Sequence, residues 1–222
     1  MHPPATRKVS KGAALILVVL VLALLCPVRS VLGKRIASPC PDEEGSPVRA
    51  VLPEPPYREV DYLFPVSSVQ SPSLYVYKSR RRLLVVQEHI LIRDYPIGLG
   101  PCPVGDKRRR GDGRTPEGEF FVCMKNPRSK YHKSLGLSYP GEKHAYEAFV
   151  NGLLSYRSYK SILKAQEKKK RPPWNTRLGG DICIHGGGGH EDWTEGCVAL
   201  YNYDMDELFE IVKIGTPVFI SP

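Results

Sequence analysis

Apolar and polar positions alternate in short segments along the middle of the 222-residue chain. SLYVYKS, RRLLVVQ and HILIRDYPIG, between positions 73 and 98, are rich in β-branched and aromatic residues, and EFFVCM follows near position 120. Such segments predict short strands arranged as a meander. Toward the C-terminus, LGGDICIHG, CVAL and TPVFIS predict three further strands.

Three other segments have the helical period. Their apolar positions recur every three to four residues over 143–154, 156–169 and 204–212. Pro172 and Pro173 end the second predicted helix, because proline cannot continue a helix. The chain is therefore predicted to be mainly β with a few helices.

The first 72 residues have a different pattern. Arg7, Lys8 and Lys11 precede an uninterrupted apolar run at residues 13–26, which has the length of an export-signal core and is shorter than a membrane span of about 20 residues. Residues 1–33 are predicted to be a cleaved signal peptide or an uncleaved membrane anchor. Prolines recur over 34–72, which are predicted to form a tether to a domain at 73–222. This organisation predicts a cell-envelope location, periplasmic or membrane-anchored and facing outward.

Charge and cysteine content add to this outline. The formal net charge is +9, which favours a solvated basic surface or a polyanionic partner. No zinc-finger, RRM or helix-turn-helix signature accompanies the charge, so no nucleic-acid partner is predicted. Export permits disulfides, and Cys26 lies within the apolar run. The other cysteines are odd in number, namely Cys40, Cys102, Cys123, Cys183 and Cys197. A Cys102–Cys123 disulfide is one hypothesis.

The segment DICIHGGGGHEDWTEGCVAL, residues 181–200, concentrates the candidate chemistry. In a strand, Cys183 and His185 project from the same face. Gly196 permits a tight turn that exposes the sulfur of Cys197 and directs backbone N–H groups at one point, where they would stabilise an oxyanion. A thiol must lose its proton to attack a carbonyl, and a neighbouring imidazole promotes this loss. Cys197 is therefore the candidate nucleophile and His185 its base.

Several alternatives stay open for the same residues. The tautomer of His185 would be fixed by a carbonyl of the glycine run, by Asp181 or by Asp192. Cys197 also suits a buried structural thiol, or a redox-active disulfide with Cys183. Zinc would find a tetrahedral ligand set in Cys183, Cys197, His185 and His190. The segment lacks a CxxC pair, so no metal is predicted. No cofactor is predicted either, because acyl transfer through a cysteine thioester needs none.

Five motifs, in order, resemble segments of one family. They are RTPEGEF at 114–120, LGLSYP at 135–140, PPWNTRLGGDICIHG at 172–186, TEGC at 194–197 and DELFEIVKIGTPVFI at 206–220. The family is the L,D-transpeptidase catalytic domain, also called the YkuD domain. The resemblance implies a β-sandwich catalytic domain that cuts peptidoglycan stem tetrapeptides between the L-centre of a diamino acid and D-Ala. Glu195 stands where many members have His, and Ala199 where many have Arg or Asn, which resembles a subgroup with TEGC at the nucleophile motif.

The resemblance also implies residue roles. Cys197 would carry the acyl group as a thioester, His185 would be the base, and Gly196 would form the nucleophile turn. The residues expected to contact substrate are Thr194, Gly186, Trp193 and Tyr139, with Tyr131 beside them. For Trp193, packing in the core is the alternative. Independently of the resemblance, the arginines at 108–110, which precede the TPEG motif, are interpreted first as a solvated loop, and the functional alternative is that they pair with stem-peptide carboxylates.

The acceptor is left open by these motifs. An amine of a second stem peptide, or of a wall-linked protein, would complete a transpeptidation, whereas water would make the protein a carboxypeptidase or amidase. A non-catalytic wall-binding module is the alternative from another class. His185 precedes Cys197 in the chain, and this order argues against papain-like and NlpC/P60-type peptidases.

Overall fold

Nine strands form one hydrogen-bonded sheet in the described part of the chain, which is Cys40 and residues 56–222 of a computed structural model. The strands are β1 (Glu59–Val60), β2 (Ser73–Tyr77), β3 (Arg82–Gln87), β4 (Ile90–Pro96), β5 (Gly118–Ser129), β6 (His132–Leu137), β7 (Cys183–His185), β8 (Val198–Ala199) and β9 (Pro217–Ser221). Their order across the sheet is β1-β4-β3-β2-β9-β5-β6-β7-β8. The pairs β1–β4, β2–β9 and β7–β8 are parallel, and the others are antiparallel.

Strand β5 joins the two halves of the sheet. Its first residues pair with β9 and its later residues pair with β6, with register shifts after Val122 and after Asn126. Such bulges bend a strand. One core cluster then takes side chains from both halves, including Leu74, Leu83, Ile92, Leu135, Ile184 and Val198. The two halves face each other across this core, and the predicted mainly β, sandwich-like class is confirmed.

Three α-helices accompany the sheet in the described chain. They are α1 (Glu142–Val150), α2 (Tyr156–Glu167) and α3 (Asn202–Ile211), and a 3₁₀ helix spans Val66–Ser68. Helix α3 packs on the main core through Met205, Leu208 and Ile211. Helices α1 and α2 share a second cluster with Leu178. The three helices lie where the sequence period predicts them, with ends that differ by a few residues.

Two features differ from the sequence predictions. Strand β6 was not predicted, because its sequence, HKSLGL, contains no β-branched or aromatic residue, although Ser134–Leu137 are all buried. Residues 56–72, assigned to the tether, pack on the domain, since β1 pairs with β4 and Phe64 contacts the core. The rest of that tether and the segment 1–33 lie outside the described residues. Within the described ranges, no helix is long and apolar enough to cross a membrane.

The cysteine pairing also corrects a hypothesis. Cys102 forms a disulfide with Cys40, at a Cα–Cα distance of 5.4 Å, so the proposed Cys102–Cys123 bond is wrong. The other described cysteines, Cys123, Cys183 and Cys197, are free thiols.

Candidate active site

Parallel strands β7 and β8 place the candidate nucleophile and base side by side. Ile184 is paired with Val198, and His185 with Ala199. Cys197 directly precedes β8, so it lies beside Cys183 at the start of β7. His185 ends β7 and is only 3% exposed. Both side chains are therefore positioned by two adjacent strands at one end of the sheet.

A short turn before β8 holds the sulfur of Cys197. The hydroxyl of Thr194 donates to the Cys197 carbonyl at 2.8 Å and accepts the Gly196 N–H at 3.2 Å. Gly196 has φ +123, and a Cβ there would lie 2.4 Å from the Arg114 carbonyl oxygen. Only glycine fits this conformation and this contact. Thr194 and Gly196 thus shape the turn, which is the role expected of Gly196.

The backbone N–H groups near the turn are mostly engaged within the protein. Gly196 donates to Thr194, as described above, so its N–H does not point at a substrate oxygen as expected. In the glycine run, Gly186 donates to the Lys133 carbonyl and Gly188 to the Leu200 carbonyl. Gly187 donates to the side-chain oxygen of Asn202 at 2.9 Å. These glycines therefore brace the end of β7 and the start of α3.

Four interactions set the charge of the Cys197 sulfur. The Cys183 side chain hydrogen-bonds it, and the His185 imidazole both hydrogen-bonds it and attracts a negative charge. The backbone N–H of Cys183 donates to the sulfur at 3.3 Å. Burial acts in the opposite direction, but the donors prevail and lower the pKa of Cys197 to about 5. The thiol is thus a thiolate at neutral pH.

The imidazole of His185 is oriented by its own strand end. Its Nδ1 lies 2.6 Å from the Gly186 carbonyl oxygen, to which it donates, and this leaves the other ring nitrogen for Cys197. Burial lowers the pKa of His185, yet the Cys197 contact and the Gly186 carbonyl raise it by more, so the net shift is upward. Of the three expected partners, the glycine-run carbonyl is the one observed. Asp192 instead pairs with Arg81 at 2.6 Å.

A cleft of about 510 Å³ opens beside this pair. Cys197, His185, Trp193 and Thr194 line it, together with Tyr131. The ring of Tyr131 stacks on His185 at 4.8 Å and meets Trp193 edge-on at 5.1 Å. The Trp193 indole N–H donates to the Gly188 carbonyl at 3.0 Å, which fixes the ring. The aromatic side chains form a rigid wall next to the reacting atoms.

One expected substrate contact is wrong. Tyr139 is 0% exposed, and its hydroxyl donates to the Leu178 carbonyl at 3.2 Å. Its ring packs against Phe120 and His144 in the interior. The LGLSYP motif therefore supplies core packing at this position. The residue before β6, Tyr131, reaches the cleft instead.

The loop that carries the arginines at 108–110 contacts the cleft through only one of them. Arg110 lines the cleft, and its side chain donates to the Trp174 carbonyl at 2.9 Å. The backbone N–H groups of Arg108 and Arg109 both donate to Asp112. Asp112 also forms an ion pair with Lys107 at 2.7 Å, and both side chains are buried. Sequence reasoning found the arginines but missed this ion pair, which fixes the loop.

The structure also bears on the two alternatives for these cysteines, a zinc site and a Cys183–Cys197 disulfide. Within the described ranges, no cluster of three or more His, Cys, Asp or Glu side chains is placed to hold a metal ion. His190 is exposed and stacks on Tyr201 rather than joining the two thiols. Cys183 and Cys197 are both free thiols, and the Cys183 backbone N–H donates to the Cys197 sulfur.

Comparisons with known proteins identify the family of this chain. Residues 71–220 match the YkuD family, described as the L,D-transpeptidase catalytic domain. YafK of Escherichia coli (strain K12), named as a candidate L,D-transpeptidase, is 26% identical over 142 residues, or 61% of this chain and 43% of YafK. The chain thus spans less than half the length of the curated relatives it matches.

Solved structures with a similar fold include two proteins with lower sequence identity. The helical cell shape determining protein Pgp2 from Campylobacter jejuni has a TM-score of 0.45 and 19% identity, covering 72% of this chain and 55% of Pgp2. An L,D-transpeptidase from Xylanimonas cellulosilytica has a TM-score of 0.41 and 19% identity, covering 69% of this chain and 62% of that protein.

Proposed function

Because this chain belongs to the YkuD family of L,D-transpeptidase catalytic domains, we propose that it is a cysteine-dependent L,D-transpeptidase acting on peptidoglycan stem peptides. The observation that carries the proposal is the contact between the Cys197 sulfur and the His185 imidazole beside an open cleft. The family acts on the cell wall, so the proposed location is the cell envelope. Membrane attachment through residues 1–33 remains part of this proposal.

The first half of the reaction forms a thioester. The Cys197 thiolate attacks the carbonyl carbon of the L-centre, and the C–N bond to the leaving D-Ala then breaks. His185 supplies the proton that the departing amine needs. Its raised pKa keeps a proton available on the ring. The acyl group is then bound to the Cys197 sulfur.

The second half transfers the acyl group to an acceptor. The amine of another stem peptide attacks the thioester carbonyl, His185 takes the proton from that amine, and the C–S bond breaks to restore the thiolate. The Gly186 carbonyl holds Nδ1 of His185 in both halves, so the other ring nitrogen faces the sulfur each time. Neither half requires a cofactor.

The acceptor determines the class of the product. An amine of a stem peptide gives a cross-link, and an amine of a wall-linked protein gives a protein–wall bond. Water gives a trimmed stem peptide. Glu195 lines the cleft beside the nucleophile turn, where many family members have His. Its carboxylate would attract an ammonium group, which favours an amine acceptor.

The test is a digest of purified muropeptides with three proteins. Wild type is expected to release D-Ala and to form cross-linked products, whereas Cys197→Ala is expected to do neither. Cys123→Ala is the matched control, because Cys123 is a free, half-buried thiol that does not line the cleft. Release of D-Ala without cross-links would assign the protein to the hydrolases, and an active Cys197→Ala variant would refute the proposal.

A carbapenem gives a second measurement on the same sulfur. Its strained carbonyl resembles the acyl donor, so it is expected to add covalently to Cys197 of the wild type. Intact-mass spectrometry of wild type and Cys197→Ala measures the adduct. Circular dichroism checks that the two proteins are equally folded. A folded, reduced wild type without any adduct would contradict thioester chemistry.

A further inference from the structure

A second thiol lies directly against the proposed nucleophile. Ile184 pairs with Val198 in the parallel β7–β8 ladder, so the positions one residue earlier, Cys183 and Cys197, face each other. The Cys183 backbone N–H donates to the Cys197 sulfur at 3.3 Å. Both sulfurs also lie near Asp181: the Cys183 sulfur is 3.7 Å from a carboxylate oxygen of this residue and the Cys197 sulfur is 3.5 Å from its carbonyl oxygen. The thioester chemistry proposed above uses the sulfur of Cys197 only. The Cys183 side chain helps to lower the pKa of Cys197, but no step of that reaction makes or breaks a bond to the Cys183 sulfur.

The backbone spacing at this pair suits a disulfide. Neighbouring strands lie about 4.8 Å apart, and side chains at facing positions project to the same side of the sheet. Disulfides join Cα atoms that are about 4.4–6.8 Å apart. Facing positions of a ladder thus meet the spacing that a disulfide needs, and a Cys183–Cys197 bond is compatible with the pairing of β7 and β8.

We propose that Cys183 and Cys197 form a reversible disulfide when a peroxide oxidises Cys197, which makes the pair a covalent modification site on the proposed catalytic sulfur. While this bond exists, Cys197 cannot attack a carbonyl. The modification requires no peptidoglycan substrate, so it stands or falls separately from the proposed function.

The first step is a two-electron oxidation of sulfur. The Cys197 thiolate attacks one oxygen of hydrogen peroxide, an S–O bond forms and the O–O bond breaks. The product is a sulfenic acid on Cys197, and the hydroxide that leaves takes up a proton to become water. The pKa of about 5 supplies the thiolate that this step needs. The peroxide reaches Cys197 through the same cleft that is proposed to admit the substrate.

The second step closes the disulfide. The Cys183 sulfur attacks the sulfenic sulfur, the S–S bond forms and the S–O bond breaks, and the hydroxyl leaves with the Cys183 proton as water. Cys183 does not compete in the first step, because its contact with Cys197, then burial, raise its pKa. Once Cys197 is a neutral sulfenic acid, its negative charge no longer raises the pKa of Cys183. The order of the two oxidations is thus set by the site itself.

The remaining cysteines provide an internal comparison. Cys40 and Cys102 already form a disulfide, so the chain carries one oxidised pair. The third free thiol, Cys123, lies in the β5 bulge two strands away from β7. Burial raises its pKa to about 11, so it offers almost no thiolate at neutral pH. We expect Cys123 to stay reduced while the Cys183–Cys197 pair is oxidised.

The experiment treats the full chain with hydrogen peroxide at neutral pH and maps its peptides without reduction. Wild type and Cys123→Ser are expected to lose two hydrogen atoms and to yield a peptide pair linked through Cys183 and Cys197. Cys183→Ser is expected to gain oxygen atoms on Cys197 instead, and to be labelled by dimedone, which traps sulfenic acids. A mild dithiol should restore the free Cys197 thiol in wild type. The fraction of Cys197 restored in Cys183→Ser should be at least about fivefold lower, because oxidation of Cys197 in this variant continues to the irreversible sulfinic acid.

Two results would overturn the proposal. One is a wild type in which peroxide drives Cys197 to sulfinic acid without a Cys183–Cys197 peptide. The other is a folded wild type in which Cys197 stays reduced at peroxide concentrations that oxidise a free cysteine. Both are measured on the wild type alone, so a variant that fails to fold does not remove the test. An inactive protein that still forms the disulfide would refute the proposed function and leave this modification site intact.

Discussion

The pKa values of two free cysteines in the same sheet are shifted in opposite directions. Cys197 precedes β8 and Cys123 lies in β5, and both side chains are half-buried. The pKa of Cys197 is lowered to about 5, whereas that of Cys123 is raised to about 11. Both thiols are partly exposed, so partial exposure alone does not determine which one is reactive.

The neighbours of each sulfur account for the difference. Burial raises the pKa in both cases. At Cys123 one backbone hydrogen bond and the charge of Arg171 oppose this, but burial prevails. At Cys197 the Cys183 side chain, the His185 imidazole and the Cys183 backbone N–H all donate to the sulfur, and the charge of His185 adds to their effect. Several donors together with an adjacent imidazole therefore make a reactive cysteine in this fold.

The strongest test of this contrast removes the imidazole. His185→Gln is expected to slow carbapenem acylation of Cys197 by about 10²–10⁴-fold, because the variant loses both the proton carrier and the charge that stabilises the thiolate. Stopped-flow fluorescence or time-resolved mass spectrometry measures the rate. His190→Gln is the matched control, since His190 is exposed and stacks on Tyr201. Equal losses in the two variants would show that His185 acts only through the fold.

Alkylation by iodoacetamide compares the two thiols directly. Only the thiolate reacts, so the Cys197 rate is expected to fall as the pH drops through about 5 and to be flat above it, while the Cys123 rate rises toward about pH 11. At pH 7 the thiolate fractions differ by about 10⁴-fold, but the lower-pKa thiolate is about 10³-fold less nucleophilic, so the net preference for Cys197 is about tenfold. Peptide mapping across pH measures both rates. A Cys197 profile with a midpoint near 8 to 9 would contradict the proposed thiolate.

A substitution in the turn that positions Cys197 is expected to change the reactivity of Cys197 relative to Cys123 by a smaller factor. Gly196→Ala places a Cβ at φ +123 and 2.4 Å from the Arg114 carbonyl, so the turn must shift. We expect a loss of about 1–3 kcal/mol in unfolding free energy and a severalfold slower alkylation of Cys197, with Cys123 unchanged. Gly111→Ala is the control, because Gly111 has φ +79 but nothing within 4 Å of a new Cβ. Denaturant unfolding and the alkylation assay measure the two quantities, and similar slowing of Cys197 in Gly111→Ala would exclude a specific role for the turn.

Sequence patterns predicted the strands that are rich in β-branched and aromatic residues and failed for the strand that lacks them. β2, β3, β4 and β9 are found where the pattern predicts them. Strand β6 was missed because its sequence, HKSLGL, contains no β-branched or aromatic residue. The pairing of β6 with β7 is a long-range contact that no local pattern encodes.

The same distinction between local sequence features and long-range contacts applies to the candidate site. The positions of Cys197, His185 and Gly196 were readable, because a glycine turn and period-two alternation are local properties. Tyr139 was placed wrongly, since its burial depends on how α1 and the loop at 178 pack around it. The contact of Cys183 with Cys197 depends on the β7–β8 register, which joins residues far apart in the chain.

The smallest effect concerns the edge of the cleft that holds Cys197. Arg110 lines this cleft, its side chain is held by the Trp174 carbonyl, and its backbone N–H donates to the Arg177 carbonyl. Arg109 has the same charge on the same loop, but it does not line the cleft and its N–H is bound to Asp112. Exposed ion pairs contribute about 0.2–1 kcal/mol, so Arg110→Gln is expected to raise KM for a stem tetrapeptide by up to about fivefold.

The value of kcat should stay unchanged in Arg110→Gln, because a carboxylate remote from the scissile bond is bound equally before and during the reaction. The increase in KM should shrink as salt is added, since an exposed pair is screened. Arg109→Gln should leave KM and its salt dependence as in wild type. If the two variants raise KM equally, the cleft attracts the substrate through the overall positive charge of the loop, and no carboxylate is recognised at Arg110.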